Sequence, residues 1–415
     1  MNIPFQTKSK RSKPRILIVG GNFAGLETVI HLNPDHVDVM MIDPCPFFEF
    51  YPNINEIVSS VKKPYQLVLS KENILRRHGH KWFQDHVVNI DPKKKQIHTQ
   101  NRLTLSYDIC VLAIGSVVNT YHVDGVNSHA MFFKNTVDCY AICLKLNELL
   151  EHNSSASVVI VGSGMEGIEA MGEILRKYRD NKSVEVHMVE QADRVFPQGP
   201  DEIGKELKRL CIPYSVFWHT GKRVIAVEPN HVVLDSNQTL PSDLTLWSAG
   251  IQASNLIFDS GLSNTANGWA RVSNTLQSMY HNDIFAIGNA CELPNPVSKQ
   301  AYHAMEMGEC AANNIGLYLN DKELIDVKLS NKPKLLSFGD IDTFLIAGKT
   351  VIAGSMIAAA KESVYQYVMN HYDSEWAIAK WLHICQRAYR GAYQLGWQTF
   401  GSLEAIQRLP NIRFL

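Results

Sequence analysis

The residues best equipped for chemistry are glycines and acids set in a pattern that occurs twice. Residues 15–27 read RILIVGGNFAGLE, an apolar run, a glycine turn and the start of a helical pattern. Gly20 and Gly25 stand at the first and third positions of a G-x-G-x-x-G fingerprint, with Gly21 between the first and second and Asn22 at the second. The first glycine permits the tight turn and the third lets helix pack on strand, while the helix N-terminus offers free N–H groups to a diphosphate. Asn22 departs from the pattern; Asn tolerates positive φ, so the turn is expected to survive, but its side chain needs room beside the phosphates. The run VDVMMID then ends at Asp43, where an acid would accept hydrogen bonds from a ribose.

The second occurrence, SVVIVGSGMEGIEAMGEIL, carries the complete fingerprint in Gly162, Gly164 and Gly167, and the strand VEVHMVE ends at Glu190. A carboxylate there favours a free 2'-hydroxyl and repels a 2'-phosphate, which points to NAD(H) over NADP(H); Arg194, close by, pulls the other way. One fingerprint is weak evidence, but two, each with strand, helix and acid, make coincidence improbable. The chain is expected to hold two dinucleotides, and FAD beside NAD(H) is the common pair, since a flavin can accept a hydride and pass electrons on.

The elements that position these turns must be repeated strand–helix units, so the fold class expected is α/β: two Rossmann-like dinucleotide-binding domains and a small α+β C-terminal domain. The length, 415 residues with 45% hydrophobic and 20% charged, suits two or three packed domains. Forty Lys and Arg against 41 Asp and Glu give a net charge of -1, which provides no basic field for general nucleic-acid binding. The eight cysteines form no C-x-x-C pair, His281 and His303 are lone histidines, and no metal site is expected. The polar, basic start reads as no signal peptide, and the longest apolar runs are too short to span a bilayer, so the expectation is an intracellular, cytoplasmic chain.

Other segments carry a family resemblance. CVLAIGS at 110–116, with Gly115, LTLWSAGI at 244–251, with Gly250, and IFAIGNA at 284–290, with Gly288 and Asn289, join the two fingerprints in an order that resembles the two-dinucleotide-binding flavoproteins, the pyridine nucleotide-disulfide oxidoreductase superfamily. The resemblance runs from about Pro14 to about Asn320. It implies an FAD domain in two pieces, 14–127 and 271–335, an NAD(H) domain at 128–270 inserted between them, and a C-terminal domain at 336–415. The thiol pair of the disulfide reductases is missing, and PFFEFYP at 46–52 and KQAYHAMEMGECAANNI at 299–315 look like the branch that holds type II NADH:quinone oxidoreductases, sulfide:quinone oxidoreductases and apoptosis-inducing-factor-like flavoproteins. Sulfide is disfavoured, because the second fingerprint helix carries Met171 where that chemistry wants a cysteine; Cys291 is the one well-placed thiol, and its bland role is that of a small buried hydrophobe.

The resemblance also assigns roles. Glu169 matches the carboxylate near nicotinamide and flavin, with Glu173 one turn later as support; the less favoured alternative is that both are solvated helix acids. Asn289 stands where an Asp would meet the ribityl chain, and Lys299 and Gln300 stand where donors could stabilise a reduced flavin, or simply cap a helix. The leading function is an FAD-dependent NADH dehydrogenase that passes electrons to a quinone-like acceptor. A soluble reductase of another acceptor, such as an iron–sulfur protein or a pathway intermediate, and a non-enzymatic NADH sensor stay open. From about Val364 an aromatic, basic tail (Tyr365, Tyr367, Tyr372, Trp376, Trp381, Tyr389, Tyr393, Trp397 and Phe400, with Lys380, His383, Arg387 and Arg390) suits a membrane interface, a second subunit or the protein's own core, and the basic stretch 8–15 could assist on a membrane.

Overall fold

The computed structural model describes residues 13–152, 155–180, 184–265, 267–354, 357–373 and 413–415. The chain divides into two compact units, one of Met1–Glu49, Val68–Val117 and Ile251–Asn331, the other of Phe50–Leu67, Val118–Gly250 and Lys332–Leu415.

The first unit is built on a five-stranded parallel sheet in the spatial order Ile284–Ala286, Ile109–Leu112, Arg15–Val19, Asp38–Ile42, Lys81–Phe83. Every residue of Arg15–Val19 is buried, as expected of a central strand covered on both faces. It pairs with the next strand in the register Ile16↔Val39 and, on its other side, Ile16↔Ile109. The helix Phe23–His31 packs on the helix Ala301–Tyr318 at Gly308, where a Cβ would lie 2.5 Å from the Ala24 carbonyl oxygen. Thr28 Oγ1 bridges the contact, donating to Ala24 O at 2.9 Å and to Gly308 O at 3.2 Å.

The second unit repeats the plan with Ala130–Phe132, Leu244–Trp247, Ala156–Val161, Val184–Glu190 and Val216–Thr220, the fingerprint strand again in the middle. Its C-terminal portion is an antiparallel sheet of Lys334–Phe338, Asp342–Ala347, Thr350–Ala353 and Arg413–Phe414, with the helix Ile357–Tyr372 packed on it. The helix Met165–Tyr178 presses on this sheet through Gly172, whose Cβ would fall 2.5 Å from Gly339 N. The described part of the C-terminal portion thus packs against the nucleotide-binding part of the same unit. Residues 50–67, expected within the first FAD piece, also cluster here, with Phe50 edge-on to Tyr365 at 5.3 Å and Tyr365 Oη donating to Gln66 O. Arg413 ties the last strand down by pairing with Asp342 and, at 2.5 Å, with Glu206.

The aromatic tail divides in its described part. Tyr365 and Tyr372 are core residues, 1% and 2% exposed, and Tyr367 faces outward. Their packing follows helical spacing, with Val368 and Met369 between them on the same buried face. Trp376, Lys380, Trp381, His383, Arg387, Tyr389, Arg390, Tyr393, Trp397 and Phe400 lie outside the described residues, as does the basic stretch before residue 13. Among the described residues, no helix is long and apolar enough to cross a membrane and no group of three or more His, Cys, Asp or Glu is placed to hold a metal.

Candidate functional site

In the first unit the turn is made as its glycines require. Gly20 has φ +97°, and a Cβ there would sit 2.4 Å from the Ala113 carbonyl oxygen; one on Gly25 would sit 2.1 Å from Gly20 O. Asn22 has φ -105°, so its tolerance of positive φ is not called on. Its side-chain oxygen accepts from Glu49 N at 3.4 Å, and its Nδ2 is buried at the turn with no partner among the described residues. Asp43 accepts from Gly21 N at 2.5 Å and from Cys45 N at 2.7 Å, so the acid first holds the turn together and only its remaining lone pairs are free for a ribose. A residue that sequence reasoning missed completes the group. Lys71, 2% exposed, pairs with Asp43 at 2.9 Å and donates to Cys45 O at 2.9 Å.

The second unit repeats the glycine turn and the acid that ties it, with Gly164 in place of Asn22. Gly162 has φ +101°, with its would-be Cβ 2.6 Å from Ser248 O, and that of Gly167 would lie 2.0 Å from Gly162 O. Gly164 opens the helix as its N-cap, with no side chain to intrude. Glu190, 7% exposed, accepts from Ser163 N at 2.9 Å, from Ser163 Oγ at 2.8 Å and from Ala192 N at 2.9 Å. Arg194 is engaged within its own segment. Its guanidinium donates to the carbonyls of Phe196 (3.4 Å), Pro197 (2.7 Å) and Gly199 (3.0 Å) and pairs with Asp201 at 2.5 Å. These acceptors engage the fork that a 2'-phosphate would need, so the one cation that argued for NADP(H) is committed elsewhere.

Glu169 and Glu173 lie one turn apart on the second fingerprint helix and are buried, not solvated. Glu169 Oε1 meets Lys361 Nζ at 2.6 Å and accepts from Ser337 Oγ at 3.1 Å and Ser337 N at 3.2 Å. Lys361 is itself 7% exposed and gives a second bond, 2.8 Å, to Ser337 Oγ. Glu173 accepts from Ser59 Oγ and faces Arg176 at 3.6 Å; burial pushes its pKa up to about 7, against the lowering effects of the Ser59 hydrogen bond and Arg176. Asn55, 1% exposed, donates to Ser337 Oγ at 3.2 Å and extends the same polar cluster. No spacing rule connects a C-terminal lysine with a glutamate of the fingerprint helix, so Lys361 had no signal in the sequence.

In the first unit, Asn289 Nδ2 reaches Ser116 Oγ at 3.5 Å beside Gly115 and Gly288, both at positive φ. Gly250, in the second unit, has φ +147°. Lys299 donates to the carbonyls of Asn289 (3.1 Å) and Cys291 (2.6 Å) and lies over the Trp269 ring, and burial lowers its pKa. It buttresses the Asn289 turn. Gln300 is the N-cap of the following helix, without a side-chain capping bond. Both line a cavity of about 200 Å³ with Trp269, Asn289, Cys291 and Met307. Cys291 is buried, its S–H donates to Gly288 O at 3.3 Å, and burial pushes its pKa up to about 11, so it is held as a thiol and is no ready nucleophile.

Each turn thus fits a diphosphate: a cradle that any Cβ would fill, a helix N-terminus pointing into it and an acid behind it. In the first, the unpartnered Asn22 amide adds a donor. Residues 14–308 match the family described as pyridine nucleotide-disulphide oxidoreductase. The chain belongs to that family.

Within it, a type II NADH:quinone oxidoreductase of Staphylococcus epidermidis is 24% identical over 382 residues, covering 85% of this chain and 94% of the relative. Among solved structures, NDH2 of Plasmodium falciparum in complex with NADH superposes with a TM-score of 0.75 at 17% identity, over 81% of this chain and 90% of that one. A sulfide:quinone oxidoreductase of Aquifex aeolicus superposes with a TM-score of 0.76 at 18% identity, over 87% and 92%. These likenesses carry the two-Rossmann α/β fold of the pyridine nucleotide-disulphide oxidoreductases.

Proposed function

We propose that the protein is an FAD-dependent NADH dehydrogenase that delivers electrons to a quinone. The observation that carries this reading is the duplicated turn-and-acid construction, one per unit, each shaped for a diphosphate. FAD, when bound, accepts a hydride from NADH and hands electrons on singly or in pairs. We assign FAD to the first turn, with Gly20, Gly21, Asn22 and Gly25 at the diphosphate, Asp43 at the adenosine ribose and Gly115, Gly288 and Asn289 along the rest of the group. We assign NADH to the second, through Gly162, Gly164, Gly167 and Glu190, with Gly250 at the strand end that follows. The committed Arg194 supports NADH over NADPH. Reduction of a quinone takes up a proton from the medium when NADH is the donor, and the buried Glu169–Lys361 pair, 2.6 Å apart, is suited to hold one at Oε1 or Nζ, with Glu173 behind it. Lys299 and Gln300 keep a supporting part at the Asn289 turn.

The named relatives lend weight to a quinone as acceptor. Sulfide is a poorer donor for this chain, because the second fingerprint helix has Met171 and the Cys291 thiol is held protonated. We place the protein peripherally on the cytoplasmic face of a membrane, docked through its C-terminal segment. Anaerobic stopped-flow mixing tests the reading. The flavin absorbance of the purified protein should bleach faster with NADH than with NADPH and recover on addition of a ubiquinone or menaquinone analogue. A colourless protein, or a flavin that stays oxidised with both nucleotides, sinks it.

A further inference from the structure

Resting on the second turn as the NADH site, we propose that residues 194–199 form a clasp on the dinucleotide's diphosphate, latched by Arg194 and reaching the ligand through the Gln198 amide. The segment follows the Glu190 strand and precedes the helix Asp201–Leu210. It is not a loose connection. Phe196 takes φ +56°, is 2% exposed, and donates its N–H at 3.1 Å to Ser163 Oγ, the same hydroxyl that donates to Glu190. A strained, buried aromatic of this kind persists only where its surroundings fix it. Gly199 is part of that fixing, since a Cβ there would lie 2.1 Å from the Phe196 ring. Arg194 supplies the rest by gathering the carbonyls of Phe196, Pro197 and Gly199 around one guanidinium.

What this construction presents is Gln198. Its side chain is exposed, and its amide oxygen and nitrogen lie 3.6 and 3.8 Å from where a Gly164 Cβ would stand, directly over the N-terminus of the helix Met165–Tyr178. The first N–H groups of that helix have no partner within it. A side-chain amide held beside that N-terminus adds a neutral donor to a diphosphate that the helix already attracts, and the rigid turn spares the cost of ordering it. Glu190 selects at the ribose, whereas Gln198 acts at the phosphates, so its loss should weaken binding without altering the preference for NADH.

The test uses full-length, FAD-loaded protein and the variants Gln198→Ala, Gln198→Glu and Arg194→Met. NADH affinity is read from the concentration dependence of fluorescence quenching and of flavin reduction, with flavin content and the thermal midpoint as checks on folding. A hydrogen bond to a charged group is worth roughly tenfold, so Gln198→Ala should bind NADH about tenfold more weakly and Gln198→Glu, which sets a carboxylate against the diphosphate, more weakly still. The limiting rate of flavin reduction should be unchanged. Arg194→Met should weaken NADH to a similar degree, and adding Gln198→Ala to it should cost little more, because the latch and the amide act as one device. Gln198→Glu binding NADH within about twofold of the parent overturns the clasp. So do additive effects of the two positions. If Arg194→Met does not fold, the exposed Gln198 decides alone. Parent protein that fails to bind NADH removes the clasp together with the reading beneath it; parent binding with an indifferent Gln198 removes the clasp only.

Discussion

Glu173, expected as a support for Glu169 with a solvated helix acid as the alternative, is 1% exposed, and burial lifts its pKa to about 7. The folded state therefore keeps a proton that the unfolded chain, at the ordinary 4.5, has already lost. The stability linked to that proton is complete below 4.5 and disappears as pH rises through about 7. Glu173→Gln keeps a partner for Ser59 and cannot ionise. Between about pH 5 and pH 8 the parent should lose up to about 3 kcal/mol more unfolding free energy than the variant, as urea titrations at the two pH values would record. Parallel losses in both proteins would show that Glu173 is not the titrating group. Lys71 and Lys361 make the complementary point: each is a buried cation whose partner acid, Asp43 or Glu169, was visible in the sequence while the cation was not.

At the scale of elements, the strand–turn–helix unit is the repeated device, and its tolerance is set by backbone contact. A side chain on Gly25 or Gly167 meets the carbonyl of the first glycine of its own turn at 2.1 or 2.0 Å, and backbone cannot yield as a flexible side chain would. Overpacking of this kind costs about 1–3 kcal/mol and opens the turn. The two substitutions should have separable effects. Gly25→Val is expected to give protein depleted of FAD, seen as loss of visible absorbance, and Gly167→Val a yellow protein whose flavin NADH no longer reduces. Loss of colour in both would contradict the assignment of one dinucleotide to each unit. The fingerprints made both units legible because glycine spacing is a local property. The grouping of residues 50–67 and of the C-terminal sheet with the second unit was not, because it rests on Gly172 against Gly339 and on Phe50 against Tyr365, pairs far apart in the chain.

For the whole molecule, a net charge of -1 leaves membrane attraction to local features. Tyr367 and Val364 project from the helix Ile357–Tyr372, 67% and 48% exposed, while Tyr365 and Tyr372 of the same helix serve the core. The helix thus carries two outward apolar side chains at the place where the aromatic segment begins, and interfacial docking is testable there. Flotation with vesicles containing anionic lipid should carry the full-length protein upward, and Val364→Ser with Tyr367→Ser should reduce the floating fraction several-fold without loss of bound FAD. Protein that stays at the bottom of the gradient with such vesicles would favour a soluble acceptor.

The sequence by itself determined the family, the two dinucleotide turns and the preference for an acid behind each, since all of these depend on residue types a few positions apart along a strand, a turn and a helix. Only the tertiary structure decided how those acids are used. Asp43 and Glu190 first tie their own turns, through Gly21 N and Ser163 N; Arg194 is committed to backbone carbonyls of its own segment; Glu169 finds Lys361 across 192 residues of chain. Ion pairing and desolvation act through space over a few ångströms, and nothing in a linear pattern fixes which distant charge the fold will bring within that reach.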